Sequence, residues 1–248
     1  MRLSGHTVLI TGGSSGIGLA LARQFYKNNN RVIICGRNLE RLNLAKEGMS
    51  QIEVIECDLA QEKDIHHLVA TIEQKIPKLS ILINNAGVQL NYKFIHADRK
   101  QILQDLDWEN QINFNAPVKL IALCLPMLRQ HSESAILNIS SGLGLTPKAS
   151  APIYCGTKAA LHIFSKSLRY QMEDDSPNIK VFEAILPLVD TAMTKGRGKG
   201  KISPKQVADE IMQAMRKNHY EIKVGKVKLL VWLNRLIPSL AERILRKS

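Results

Sequence analysis

The 248-residue chain carries 34 Lys and Arg against 22 Asp and Glu, a formal net charge of +12, and 45% of its residues are hydrophobic. This length and composition favour one globular domain over residues 1–248 and exclude a disordered or low-complexity protein. No apolar run approaches the roughly 20 residues that a membrane-spanning helix needs. Residues 1–10 lack the pattern of a signal peptide.

The cysteines and histidines limit the chemistry of the chain. Cys35, Cys57, Cys124 and Cys155 show no paired spacing, so we expect reduced, mostly buried thiols in a cytoplasmic protein. The seven histidines show no metal-ligand spacing, and the sequence therefore predicts no metal site.

Strands and helices alternate along the chain. The predicted strands are nearly continuous apolar runs, at 6–10, 31–35, 52–57, 79–83, 135–139, 181–186 and 220–224. Helical periodicity lies between them, including 39–48, 65–76 and 202–218. This pattern predicts a parallel sheet covered on both faces. We expect a single-domain α/β protein with a doubly wound Rossmann fold and a seven-stranded, mostly parallel sheet.

A glycine-rich turn follows the first predicted strand and opens the first helix. Small residues let the backbone approach a pyrophosphate, and the helix N-terminus supplies N–H donors and positive potential. The expected phosphate-binding residues are Gly12, Ser14, Ser15, Gly16, Ile17 and Gly18. A tight turn with only a structural role is the alternative.

The end of the second strand predicts which dinucleotide binds. An acidic residue here would bind the ribose 2′-hydroxyl of NAD, but the chain has Arg37. A guanidinium suits a 2′-phosphate, with Ser14 as a candidate second donor. We therefore predict NADP(H) rather than NAD(H), against the alternative that Arg37 is a solvated loop cation.

Tyr154 and Lys158 are four residues apart, so a helix would place both side chains on one face. A neighbouring ammonium favours the phenolate, and we expect Lys158 to lower the pKa of Tyr154 toward neutrality. Tyr154 could then exchange a proton with a carbonyl or alcohol oxygen. The alternative is an ordinary helix with one buried aromatic residue and a solvated lysine.

Four motifs in matching order and spacing resemble the short-chain dehydrogenase/reductase family over nearly the whole chain. They are Thr11-Gly12-x-x-x-Gly16-x-Gly18, Asn84-Asn85-Ala86-Gly87, Ser141 thirteen residues before Tyr154, and Tyr154-x-x-x-Lys158. The resemblance implies an oxidoreductase that transfers a hydride between a nicotinamide and a carbonyl or secondary alcohol.

The resemblance also implies roles for the catalytic set Asn113, Ser141, Tyr154 and Lys158. Tyr154 would be the general acid in reduction and the general base in oxidation. Lys158 would bind the nicotinamide ribose, and Ser141 would polarise the substrate oxygen. Ser140 is the alternative to Ser141.

In this family, the backbone carbonyl of the helix asparagine anchors the water that connects the lysine to solvent. Asn113 matches that asparagine, and Asn115 is the competing candidate. Pro117 favours Asn113, because a proline has no N–H with which to bond the carbonyl four residues back.

Further cofactor contacts are implied at the strand ends. They are Asp58 and Leu59 at the adenine, Asn85, Ala86 and Gly87 in the crevice, and Pro187, Val189 and Thr191 at the nicotinamide. Asp58 could equally cap the following helix. Leu188 stands where the family usually has glycine, so the local turn is expected to differ.

Residues 187–201 resemble a bacterial subgroup linked by name with lipoteichoic-acid D-alanylation operons, a link that identifies no substrate. We expect residues 190–202 to form a mobile substrate lid, with a disordered basic loop as the alternative. The resemblance further suggests a homodimer or homotetramer built through helices around 108–130 and 152–173.

The last quarter of the chain is strongly basic. Residues 195–248 contain fourteen Lys and Arg against four Asp and Glu, so they carry +10 of the net charge. In 226–248, apolar residues recur at helical spacing between cations, a basic amphipathic segment. It could pack on its own domain or a sister subunit, lie on the anionic inner face of a membrane, or bind a polyanion. Nucleic acid is disfavoured, since no aromatic-rich platform is present.

Two functions follow from the sequence. The first is an NADP(H)-dependent oxidoreductase acting on a small carbonyl or alcohol. The second is a catalytically silent nucleotide-sensing or membrane-associated binding protein with the same fold.

Overall fold

The computed structural model describes residues 1–76 and 78–246. One seven-stranded sheet runs through it in the order β3-β2-β1-β4-β5-β6-β7, and all adjacent pairs are parallel. The strands are β1 Thr7–Thr11, β2 Arg31–Gly36, β3 Ile52–Glu56, β4 Leu79–Asn84, β5 Ser134–Ser141, β6 Ile179–Leu186 and β7 Glu221–Lys223. The prediction of a doubly wound parallel sheet is confirmed.

Helices cover both faces of the sheet. They are α1 Gly16–Lys27, α2 Leu39–Ala45, α3 Glu62–Lys75, α4 Arg99–Asn110, α5 Ala116–Leu128, α6 Pro152–Asp175, α7 Pro204–Arg216, α8 Val227–Leu236 and α9 Pro238–Arg246. The core on one face includes Phe25 of α1 and Ile211 of α7. The opposite core includes Leu68 of α3, Leu120 of α5 and Leu168 of α6. Because β1 has β2 on one side and β4 on the other, a crevice forms at the carboxyl ends of these strands.

Several sequence-predicted bounds are wrong. Helix α4 begins at Arg99, well before the helical region that was expected around 108–130. Helix α2 ends at Ala45 rather than at 48, where Gly48 takes a φ of +74°. The predicted strand at 220–224 contains only the three residues of β7. The four cysteines are free and buried, as expected.

The continuous helical stretch Arg99–Leu128 is long and apolar enough to cross a membrane by length and composition, and half of its apolar window is buried inside the protein. A π-helical turn, Gln111–Asn115, joins α4 to α5 within it. Leu120 and Cys124 of α5 are fully buried in the core beside the sheet. This stretch is therefore accounted for as a core helix.

The basic C-terminal segment forms two helices rather than one continuous stripe, because Pro238 interrupts the hydrogen-bond ladder. Val227 and Ala241 are buried and attach the segment to the domain. Other large apolar side chains of the segment are exposed, namely Leu229, Trp232, Leu236, Ile237 and Ile244. Packing on the domain thus accounts for only some of the apolar residues that recur at helical spacing in this segment. Lys247 and Ser248 lie outside the described residues.

Candidate active site

The glycine-rich turn forms a tight cradle at the end of β1. Gly12 has a φ of +65° and Gly16 a φ of +54°, values that favour glycine. A Cβ added to Gly18 would overlap the carbonyl oxygen of Gly12, so α1 can approach the turn this closely only because residue 18 lacks a side chain. Ser14 is half-buried and Ser15 is exposed at the start of α1. Ile17 is half-buried and packs against the core.

The loop after β4 is tied to this cradle. The Asn85 side chain donates to the carbonyl of Thr11 at 2.8 Å, and the Thr11 hydroxyl accepts the backbone N–H groups of Asn85 and Ala86, both at 3.0 Å. A Cβ added to Gly87 would lie 3.3 Å from Asn113 Oδ1 and 3.6 Å from Lys158 Nζ. The sequence-predicted crevice residues therefore lie between the glycine-rich turn and the predicted catalytic residues.

The residues predicted at the adenine end lie on the other side of the turn. Arg37 is exposed after β2 and takes part in no ion pair among the residues that the structure describes. Asp58 accepts the backbone N–H of Ala60 at 3.0 Å, while Leu59 is buried. The N-cap residue of α3 is Gln61, so the alternative of Asp58 as the helix cap is wrong.

The first turns of α6 bring Tyr154 and Lys158 to the carboxyl end of β5. The Lys158 ammonium lies 5.8 Å from the centroid of the Tyr154 ring and donates to the carbonyl of Ile139 at 2.9 Å. The Ser141 side chain lies close enough to Tyr154 to lower its pKa, and its hydroxyl accepts the Leu143 N–H at 3.2 Å. These three side chains converge at the end of the sheet, as the sequence predicted.

The expected direction of the Tyr154 pKa shift is wrong for this structure. Burial raises the pKa of Tyr154 to about 12, and the Ser141 side chain opposes that shift only in part. Burial lowers the pKa of Lys158 to about 8, against the opposing charge of Glu183. Both shifts favour the neutral form of each side chain, because desolvation is the largest cause for both.

Asn113 is fully buried and fixes the loop after β4. Its Oδ1 accepts the Val88 N–H at 2.8 Å, and its Nδ2 donates to the Val88 carbonyl at 2.9 Å and to the Thr157 hydroxyl at 3.2 Å. The asparagine thereby links the π-helical turn to α6. Its competitor Asn115 is exposed and contacts only Gln111 by hydrogen bond.

Ser140 and Ser141 point to opposite sides of β5, since successive strand residues alternate. The Ser140 hydroxyl is buried without a hydrogen-bond partner in the described part of the chain. Of the two serines, only Ser141 affects the pKa of Tyr154, which favours Ser141 over Ser140 as the residue beside the phenol.

A buried polar chain that the sequence did not reveal anchors α6 to the sheet. Asn84 donates to Asn138 at 2.9 Å, Asn138 donates to Ser165 at 2.9 Å, and Ser165 donates to the Leu161 carbonyl at 2.6 Å. Asn138 and Ser165 are fully buried. An asparagine inside the apolar strand at 135–139 was the available signal.

The segment after β6 closes over the cradle. Pro187 is half-buried, and Val189 is buried and bridges to Ile202, which joins the two ends of segment 190–202. A Cβ added to Gly16 would lie 3.2 Å from the Thr191 side chain, so Thr191 faces the glycine-rich turn. The Leu188 side chain, where the family usually has glycine, packs against Gly198 of the same segment.

The chain resembles known proteins in sequence and fold. A family model described as short chain dehydrogenase matches residues 6–201. The chain is 41% identical over 211 residues to the uncharacterized oxidoreductase DltE of Bacillus subtilis (strain 168), covering 85% of this chain and 82% of that relative.

Two solved structures show the same fold. A short chain dehydrogenase/reductase from Burkholderia phymatum in complex with NAD matches with a TM-score of 0.86 and 17% identity, over 100% of this chain and 98% of that chain. A short-chain dehydrogenase from Sphingobium yanoikuyae in complex with NADPH matches with a TM-score of 0.78 and 24% identity, over 88% and 87%.

Proposed function

Since the chain belongs to the short-chain dehydrogenase/reductase family of oxidoreductases, we propose that it interconverts a carbonyl and a secondary alcohol with NADP(H). The observation that carries the proposal is the convergence of Ser141, Tyr154 and Lys158 beside the cradle of Gly12 and Gly18. A proton-transfer group and a dinucleotide cradle at one sheet end are what such a reaction requires.

The residues present fit a nicotinamide dinucleotide. The cradle at Gly12 and Gly18 has no room for a Cβ, and backbone N–H groups at the start of α1 suit a pyrophosphate. A cavity of about 520 Å³ opens between Gly16 and the segment around Thr191. When bound, the nicotinamide supplies or accepts the hydride. Lys158 would hold its ribose, and Thr191 would contact the nicotinamide.

The protein's own groups would handle the proton. Tyr154, with a pKa of about 12, stays protonated at neutral pH and is therefore ready to donate its proton to a carbonyl oxygen. The Ser141 hydroxyl would donate to the same oxygen and fix its position. A protonated Tyr154 is the form that a general acid needs in the reductive direction.

The test compares Tyr154→Phe with Tyr170→Phe, an exposed tyrosine of the same helix. NADPH oxidation is followed with a panel of ketones and aldehydes. Tyr154→Phe should lower kcat by about 10²–10⁴-fold and leave the NADPH dissociation constant unchanged, whereas Tyr170→Phe should match the wild type. Undiminished turnover in Tyr154→Phe would remove its assigned role. If the wild type binds NADPH but oxidises it with none of the carbonyl compounds, the result would favour the nucleotide-sensing alternative.

The position of Arg37 supports NADP(H) over NAD(H). It is exposed directly after β2, with no carboxylate partner among the described residues, so its five N–H donors are free for a 2′-phosphate. Ser14 stands in the neighbouring turn.

We further propose a homo-oligomer built through the helices expected around 108–130 and 152–173, which are the continuous stretch of α4 and α5, and α6. These helices expose large apolar side chains, with Leu103 61% and Ile163 64% exposed. Sedimentation velocity should show a dimer or tetramer that Ile163→Asp dissociates. Leu44→Asp, at an exposed leucine of α2, serves as the control. A monomeric wild type would exclude this assembly.

The C-terminal helices support a cytoplasmic protein that docks peripherally on the anionic inner face of a membrane. Exposed apolar residues of α8 such as Trp232 lie among Lys226, Lys228 and Arg235, the composition of a surface-binding helix. The exposed apolar side chains favour a membrane over nucleic acid, and the cations favour an anionic surface over a neutral partner.

A further inference from the structure

Arg197 of segment 190–202 reaches across to the loop after β4. Its guanidinium donates to the Gln89 side-chain oxygen at 2.7 Å and to the Gln89 carbonyl at 3.5 Å. The positive charge of Arg197 also opposes the burial that raises the pKa of Tyr154, so the guanidinium lies within electrostatic range of that phenol. Arg197 is therefore close to the reaction centre.

Lys148 approaches the same region from the loop after β5. It is only 8% exposed, and its carbonyl oxygen lies 3.9 Å from the sulfur of Cys155, the neighbour of Tyr154. Burial lowers the pKa of Lys148, and the charge of Arg197 adds to this effect, so the two cations lie within electrostatic range of each other. A backbone hydrogen bond from Tyr92 to Ser150 at 2.9 Å joins the loops that carry Gln89 and Lys148.

No carboxylate balances these cations within residues 1–76 and 78–246, since neither Lys148 nor Arg197 takes part in an ion pair there. The buried carboxylate of Glu109 accepts the Leu90 N–H instead, and burial raises its pKa toward the neutral acid. A buried lysine and a half-buried arginine within electrostatic range of each other repel and favour an anion from outside the chain.

The same loops contain unused hydrogen-bond donors. The side-chain N–H₂ of Gln89 and the hydroxyls of Tyr92 and Thr146 are buried without partners among the described residues. Buried polar groups normally find partners, so such atoms point to a ligand. Two cations and three unused donors on these loops are a set suited to an oxyanion.

We propose that Lys148 and Arg197 bind an oxyanion, a carboxylate or a phosphate, carried by the carbonyl substrate of this enzyme. The proposal rests on the proposed function and defines its substrate class. Because Arg197 belongs to segment 190–202, such an anion would also hold this segment against the loop after β4. The packing of Leu188 on Gly198 keeps the segment close to that position.

The test uses matched charged and neutral probes. 4-Oxopentanoate is compared with its methyl ester, and dihydroxyacetone phosphate with dihydroxyacetone, by kcat/KM with NADPH. The acid or phosphate should be preferred at least tenfold. Lys148→Met and Arg197→Gln should each lower kcat/KM for the charged probe by about 10- to 100-fold and leave the neutral probe within twofold. Lys199→Gln, an exposed cation of the same segment, is the control.

A second readout does not need turnover. Saturation-transfer NMR on the NADP⁺-loaded protein should show 4-oxopentanoate or dihydroxyacetone phosphate binding to the wild type and more weakly to both variants. The thermal melt of each variant confirms that it folds. If the neutral probes are reduced with the same kcat/KM as the charged probes, the anion site is overturned and the oxidoreductase activity stands. Anion binding without turnover would support the anion site and overturn the proposed oxidoreductase activity. The absence of both anion binding and turnover would overturn both proposals.

Discussion

The Lys158 ammonium donates a hydrogen bond to the carbonyl oxygen of Ile139 at 2.9 Å. This bond holds a cation at the end of β5, one helical turn after Tyr154, where it is only 4% exposed. The position is costly for a charge, and burial lowers the pKa of Lys158 from 10.5 to about 8. The folded protein therefore binds this proton more weakly than the unfolded chain does.

The first prediction follows from that difference. Between about pH 8 and 10.5 the unfolded chain keeps a proton that the folded protein has lost, so Lys158 makes stability rise with pH across this window. The total rise is about 3 kcal/mol at most. Lys158→Met removes this dependence, and the free energies of unfolding of variant and wild type should converge from pH 7 to pH 10. Denaturant unfolding without cofactor measures both free energies. A difference between variant and wild type that does not change with pH would contradict the argument that Lys158 is buried.

The second prediction concerns the cradle. Gly18→Ala places a Cβ onto the Gly12 carbonyl oxygen and against the Asn85 side chain, and the backbone must shift. We expect a loss of about 1–3 kcal/mol in stability and weaker NADPH binding. Gly156→Ala is the control, because nothing lies within 4 Å of its added Cβ in α6. That change should stabilise the helix by up to about 1 kcal/mol. Equal melts for the two variants would be evidence against the close approach of α1.

The third prediction separates the two candidate asparagines. Asn113→Ala leaves both the N–H and the carbonyl of Val88 without partners, which should cost about 2–4 kcal/mol. Asn115→Ala removes an exposed side chain and should stay within about 0.5 kcal/mol of the wild type. Chemical denaturation of both variants gives the comparison, and similar losses would mean that Asn113 does not fix the loop as described.

The parallel sheet and the glycine-rich turn could be predicted because local patterns of apolar runs and glycines indicate them. Helix α4 was missed because its pattern is inverted: it buries the carboxylates of Asp105 and Glu109 and exposes Leu103 and Leu106. Periodicity assumes the opposite, and only the Glu109 contact with Leu90 explains the exception.

The electrostatics of the site were harder to predict, because they depend on burial and long-range contacts. Sequence spacing placed Lys158 beside Tyr154, but desolvation decides the direction of both pKa shifts. Arg197 and Gln89 are 108 residues apart, and no local signal joins them. The glycine- and lysine-rich composition around Arg197 indicated a lid without indicating what the lid contacts.

The fourth prediction tests the choice of dinucleotide. Arg37→Asp replaces the exposed guanidinium after β2 with a carboxylate, which repels a 2′-phosphate and accepts from a ribose hydroxyl. The kcat/KM for NADPH should fall by about 10- to 100-fold, and NADH should become the better cofactor. Arg41→Asp, an exposed change in α2, controls for surface charge. A wild type that uses both cofactors equally, or prefers NADH, would show the assignment to be wrong.

The fifth prediction concerns the membrane surface. Helices α8 and α9 cover the loop that follows Ser141: Asn234 donates to the Leu145 carbonyl at 3.5 Å, and the Ala149 N–H donates to the Arg246 carbonyl at 3.1 Å. A protein docked through these helices would hold its active site beside the lipid. Removal of α8 and α9 would expose the surface that Val227 and Ala241 bury. Substitutions in the full chain are therefore the better test.

Trp232 and Leu236 lie on one exposed face of α8, and their joint change to serine removes apolar surface without touching the buried contacts. The wild type should co-sediment with vesicles containing phosphatidylglycerol, less so in 0.5 M salt, because its cations contribute to binding. Trp232→Ser/Leu236→Ser should bind about tenfold more weakly, while Leu44→Ser, at an equally exposed leucine of α2, should bind like the wild type. Equal pelleting of all three proteins, or equal binding to neutral phosphatidylcholine vesicles, would reject membrane docking and leave a sister subunit as the occupant of this face.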